Sequence, residues 1–274
     1  MTELANSLNA KFWKRLFPAS DYRLPMNVVP GEPKRYWGHS AEATRVLAER
    51  ERWIDEAPQR HLLFLPESEQ ATAEALAWLS AVRGKVFTNP LEAASGLEPD
   101  WVVLDGEAAK GFPVLGGAVV FPSGWALEEK LGYPLAQVHD PVPGLAAALG
   151  SQIATFLARI APGAMWERGN WGLSSEPSLN HHPAQRPPRL SQDAMLDATW
   201  LRLEQQSVVR LPQTNAILFG IRVTNHRLDL LISNHPELAG RMTRALTTMS
   251  EAMTQYKGLV AARPSLLRQI AAIL

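Results

Sequence analysis

The segment Phe121–Gly144, FPSGWALEEKLGYPLAQVHDPVPG, constrains this chain more than any other stretch. Pro122, Pro134, Pro141 and Pro143 each fix φ near about −65° and remove a backbone N–H, so the chain around His139 has little conformational freedom left to lose. Such a frame presents one imidazole in one place. Two readings of that imidazole stand side by side. In the first it hydrogen-bonds a carbonyl within a tight turn; in the second it binds a ligand. The flanking Val138 and Val142 would desolvate the ring and favour the neutral form that a metal requires.

Whole-chain numbers set the limits. At 274 residues, 46% hydrophobic and 20% charged, the chain can bury one large core or two modest ones. Its formal net charge is zero, so no whole-protein field attracts nucleic acid or an acidic membrane surface, and neither is expected as a partner. It contains no cysteine, which excludes disulfides, thiolate haem ligation, cysteine-ligated iron–sulfur clusters and cysteine nucleophiles. The N-terminal MTELANSLNAKFWKRLFPAS has no apolar signal-peptide region, and no stretch reaches the ~18 apolar residues of a membrane span, so a cytoplasmic location is expected. Dinucleotide, P-loop, zincin and nucleophile-elbow motifs are missing.

The pattern predicts an α+β fold, an antiparallel sheet with helices at both ends, in a single domain over residues 1–274. Residues 1–37 read as a proline-broken arm anchored by Tyr36 and Trp37. Two helices follow: one after a Ser40 cap with an apolar stripe at Val46, Leu47 and Trp53, the other from Glu67 to a stop at Gly84. WVVLDGE and FPVLGGAVVFPSGW read as strands, with Gly116-Gly117 marking a bulge or a close approach. A short helix is expected near Leu127–Leu131, and GLAAALGSQIATFLARIA as a long buried helix. Then come a strand, MWERGNWGL, an irregular Pro/His-rich loop, and a hairpin whose turn has Asn215 at the left-handed position. From Leu228 the chain reads as helical, with Asn234 as a cap before Pro236 and a last short helix after Pro264.

Two further constellations carry chemistry. On the strand containing Arg168-Gly169-Asn170-Trp171, alternation places Arg168 and Asn170 on one face and Trp171 on the other, either lining a pocket or belonging to an edge strand whose tryptophans pack on a helix. On the hairpin, Arg222 interrupts an apolar strand and needs an anion, either Glu204 as an internal salt bridge or a ligand, with Arg210 and Thr214 nearby. His181-His182 lies in a polar loop where adjacent side chains diverge, and His39, His61, His226 and His235 read as caps or surface residues.

The three segments FPSGW–K–G–L–VH–PVPG, R-G-N-W and RLP-T–AI-F-IR, in this order and spacing, resemble the haem-dependent oxidative N-demethylase α-subunit family across roughly residues 110–225. The resemblance implies a PAS-like fold that binds haem b and oxidises a small methylated amine such as dimethylamine with O2. Flavin (FMN) and 2Fe–2S centres would belong to partner subunits that deliver electrons. It implies His139 as the iron ligand, with Trp125, Lys130, Asn170, Trp171 and Arg210 from the shared segments at the cofactor. Arg222, Glu204 and Arg168 become the catalytic set, placed in a distal pocket or at the haem propionates. The chain departs from the family at Asn215, where glycine is expected, at Glu204-Gln205-Gln206, where an arginine is expected, and at the Val-Thr after Arg222. The last two fall near the expected pocket and leave the substrate open. The alternative function is a haem-binding PAS-like sensor or carrier without turnover.

Overall fold

A computed structural model describes residues 8–273; the first seven residues of the expected arm lie outside that range. The arm is more regular than its prolines suggest. Asn9 caps α1 (Ala10–Leu16) by accepting from Phe12 N–H, β1 (Val29–Pro30) follows, and Pro33 opens α2 (Pro33–Trp37). Tyr36 and Trp37 are buried, as an anchoring role requires.

Helix α3 (Ala43–Glu56) leads through the short α4 (Pro58–His61) into β2 (Leu62–Phe64), and α5 (Glu69–Arg83) ends on Gly84 in the left-handed conformation. The α3 stripe differs from the expected one: Val46, Arg50 and Ile54 are buried, and Ser40 turns its hydroxyl to Glu98 at 2.6 Å while Glu42 takes the cap position. Next come α6 (Pro90–Gly96), β3 (Asp100–Leu104) and β4 (Val114–Ala118). Gly116 and Gly117 mark a close approach, as expected. A Cβ on Gly117 would lie 2.4 Å from the Trp101 carbonyl oxygen, and one on Gly116 2.6 Å from the Phe64 ring.

The proline frame holds a helix, α7 (Leu135–His139), in which Pro134 sets the entry and His139 is the last residue. Helix α8 (Leu145–Arg159) buries Leu145, Leu149 and Leu157 and leaves its alanine face open, so it is amphipathic rather than buried all round. Strands β5 (Met165–Ser174), β6 (Trp200–Arg210) and β7 (Ile217–Arg227) are the longest, and Asn215 between β6 and β7 has φ 59°. Helices α9 (Leu228–Asn234), α10 (Glu237–Thr248), α11 (Glu251–Tyr256) and α12 (Arg263–Ala271) complete the chain. Asn234 ends α9 instead of capping α10, because the chain turns at His235 and Pro236 takes the cap position.

Among the described residues the strands form one antiparallel sheet in the order β1-β5-β6-β7-β3-β4-β2, so the α+β expectation holds. Its two faces differ. One packs Trp37, Trp101, Val103, Val209 and Leu218 against α5, and farther along packs Trp171, Leu201 and Leu203 against α1 and the C-terminal helices. Each large side chain so buried contributes about 1.5–3 kcal/mol. The other face packs Val102, Val208, Ile217 and Phe219 against α8 at one end only. Beyond that end, β5 and β6 carry polar side chains.

Candidate functional site

Those polar side chains follow from strand alternation and register. Arg168 lies opposite Gln206 and Asn170 opposite Glu204, so four side chains form a block on one face. Asn170 Nδ2 donates to Glu204 Oε2 at 3.1 Å and Gln206 Nε2 donates to the same oxygen at 2.8 Å. Two amides therefore fix the carboxylate through one oxygen and leave Oε1 unused among the described residues.

Arg168 is in the opposite condition. No described group lies within hydrogen-bond or ion-pair distance of its guanidinium, and its Nε is shut off from solvent without an acceptor. Burial lowers its pKa, with Glu204 and Tyr22 acting the other way. Such a cation is costly to desolvate, and an anion at hydrogen-bond distance would offset that cost.

His139 comes to this block from α7. Burial, then the charges of Arg168 and Lys130, push its imidazole down to about 4, so at neutral pH the ring is uncharged. No described group hydrogen-bonds it. Asp140, its sequence neighbour, is exposed. Lys130, like Arg168, has no ion-pair partner among the described residues. On the same side Trp166 meets Phe156 of α8 at 5.7 Å between ring centroids, and Val138 and Trp125 are partly buried against the apolar cluster beside them.

Three groups close the β5 edge. Lys257, just past α11, donates through Nζ to the Trp171 carbonyl at 2.6 Å and lies 4.9 Å from the Trp171 ring centroid. Burial lowers its pKa to about 8; Glu204 opposes the shift and Arg168 adds to it. Tyr22 packs edge-on to Trp171 at 6.3 Å, and burial, then Tyr256, raises its pKa to about 12. Burial, then Glu204, raises Tyr256.

Of the residues expected from sequence, the structure brings Arg168, Asn170 and Glu204 together on one face and sets His139 within electrostatic reach of Arg168 and of Lys130. Trp171 points to the opposite face, as alternation requires, and reaches the cluster through Lys257. Arg222 does not join it. It lies opposite Gln205, on the other face from Glu204, and pairs with Glu98 at 2.8 Å while donating to the Tyr36 and Gly38 carbonyls at 2.6 and 2.7 Å. The expected Arg222–Glu204 bridge is thus replaced by a bridge to Glu98. Arg210 is likewise elsewhere, donating to the carbonyls of Asn215 at 2.9 Å and Leu157 at 2.5 Å, where it ties the hairpin turn to the end of α8. Thr214 binds Glu74.

Sequence reasoning missed Lys257 and Arg202. Arg202 stands two residues before Glu204 and clamps the start of the proline frame: Nη2 donates to the carbonyls of Phe121, Pro122 and Leu179, and Nε to Ser123 Oγ at 2.7 Å. An arginine in mid-strand was the available signal. From the other side Asp100 accepts from the Val120 and Phe121 N–H groups and pairs with Arg50 at 2.6 Å. His61, expected at the surface, is buried with Nδ1 2.9 Å from the Val119 carbonyl. His182 faces Glu128 at 3.2 Å, and among the described residues no cluster of three or more His, Asp or Glu side chains is arranged to hold a metal.

The arrangement suits a haem. It offers a neutral imidazole with no hydrogen-bond partner, two cations, Lys130 and Arg168, with no carboxylate at ion-pair distance among the described residues, and apolar side chains beside them. The donor set has nitrogen for iron and positive charge for propionates. Among the described residues no helix is long and apolar enough to cross a membrane. Residues 85–267 match the family model described as haem-dependent oxidative N-demethylase, alpha subunit-like. That span includes every residue of the β5–β6 block, His139 and Lys257, and it covers well over half of the sequence. The chain therefore belongs to the haem-dependent oxidative N-demethylase alpha subunit-like family.

Proposed function

We propose that this chain is the haem-binding, O2-using subunit of an enzyme that removes a methyl group from a small methylated amine, with electrons supplied by partner subunits carrying flavin and an iron–sulfur centre. The observation that carries this reading is the neutral, unpartnered His139 beside the unpaired cations Arg168 and Lys130. A chain without cysteine or a nucleotide motif has no ligands for an iron–sulfur cluster of the usual kind, which is why the electrons are assigned to a partner.

His139 would hold the iron, and because its ring is already neutral near pH 7, binding releases no proton. Lys130 would take a propionate. When bound, haem would supply the redox chemistry by which the methylated amine, O2, two electrons and two protons become the demethylated amine, formaldehyde and water. Glu204 would accept an ammonium hydrogen through Oε1, with Asn170 and Gln206 holding the carboxylate in one orientation so that little is reorganised when the amine arrives. Trp125 and Val138, packed against the apolar cluster beside α7, would help keep water from the iron ligand.

Haem-loaded protein, given O2 and electrons from an NADPH-driven flavoprotein, should release formaldehyde in step with loss of a methylated amine from a panel that includes dimethylamine. Saturable O2 binding with no formaldehyde from any amine, and no amine-dependent spectral shift, would instead favour a sensor or carrier.

A further inference from the structure

The β5–β6 block contains more positive charge than a simple amine requires. Arg168 and Lys257 are both partly buried, and Glu204 is the one carboxylate with which both interact, so the block sets two cations against one carboxylate. An alkylammonium entering beside Glu204 adds a further cation, whereas an amine that carries its own carboxylate adds no net charge. Geometry agrees with charge. Arg168 and Glu204 occupy diagonal positions of an antiparallel pair, where neighbours lie roughly 7–8 Å apart and their Cβ atoms somewhat closer. An ammonium and a carboxylate joined by one carbon can sit between them, the nitrogen on Glu204 Oε1 and the carboxylate on the guanidinium, whose planar fork fits a carboxylate. Lys257, anchored on the Trp171 carbonyl one residue beyond Asn170, adds its charge from the strand edge. Haem is the other source of a carboxylate, and Lys130 stands by His139 to meet one.

Resting on the reading of the preceding section, we propose that Arg168, backed by Lys257, is a carboxylate site, and that the substrate is an N-methylated α-amino acid rather than a plain alkylamine.

The test titrates haem-loaded protein with N,N-dimethylglycine and with dimethylamine, following the visible spectrum. N,N-dimethylglycine should bind at least about tenfold more tightly, the worth of one charge-assisted contact. Arg168→Met should bring the two ligands to within about threefold of each other, and Arg168→Lys should keep part of the preference. Circular dichroism of both variants checks that they fold, and Lys257→Met should reduce the preference by a smaller factor. Equal binding of the two ligands to the wild type overturns the proposal. So does a fall in haem content of Arg168→Met with the ligand preference intact, which would assign the guanidinium to a propionate. Should the wild type take up no haem, the preceding reading fails by itself, and calorimetry on the haem-free chain still decides this one: N,N-dimethylglycine binding that Arg168→Met abolishes supports it, and its absence overturns it.

Discussion

Arg222 and Arg168 interrupt neighbouring stretches of one sheet, yet they live in opposite conditions. On the closed face, Arg222 has a carboxylate and two carbonyls around it. The open face leaves Arg168 with no hydrogen-bond partner among the described residues. A buried arginine whose partners all come from its own chain belongs to the frame, and one whose partners are missing points to a ligand. The same contrast separates Arg202, fully engaged by carbonyls, from Lys130 on the frame it clamps.

The contrast breaks most visibly under substitution. Arg222→Met strands Glu98 in the core and should cost about 3–5 kcal/mol in urea unfolding, enough to threaten the fold at 37 °C. Arg168→Met removes a charge with no hydrogen-bond partner to strand, since Glu204 keeps the amides of Asn170 and Gln206, and should change stability by no more than about 1 kcal/mol. Equal losses at the two sites would erase the distinction.

A smaller effect sharpens it through pH. His226, packed against Trp13 at 5.8 Å on the closed side, is held down to about 4, mainly by burial and then by His235. Its unfolded value is near 6.5, so the unfolded chain binds a proton that the folded chain refuses between those limits. The stabilising contribution is full above 6.5 and is lost as pH falls through 4. His226→Gln should flatten the stability profile of the haem-free chain over that window by about 1–3 kcal/mol, seen in unfolding midpoints at pH 7 and pH 4.

Much of the sheet was legible because its signals are local. The β5 alternation placed Arg168 and Asn170 together, and the hairpin announced itself through two long apolar runs around a left-handed Asn215. Helix α7 was hidden because it is one turn long between prolines, which read as a rigid loop. Partner choice was not legible at all. Nothing near Arg222 says that Glu98 rather than Glu204 meets it, since Glu98 comes from the loop before β3 and only the assembled sheet decides the face. Lys257 was invisible for the same reason: a lysine after a C-terminal helix reaches the Trp171 carbonyl only when that helix packs at the β5 edge. His139 stands out in the sequence because four prolines isolate it, and that local feature survives into the structure as the end of α7.

The central claim is that the open face and α7 together hold haem through His139. Visible spectra of protein produced with a haem precursor test it most directly, comparing wild type with His139→Ala and with His181→Ala, a buried histidine of similar character in the 175–190 loop. The account predicts a Soret band in the wild type, its loss in His139→Ala and its retention in His181→Ala. An unchanged band in His139→Ala, or no band in the wild type, would contradict it.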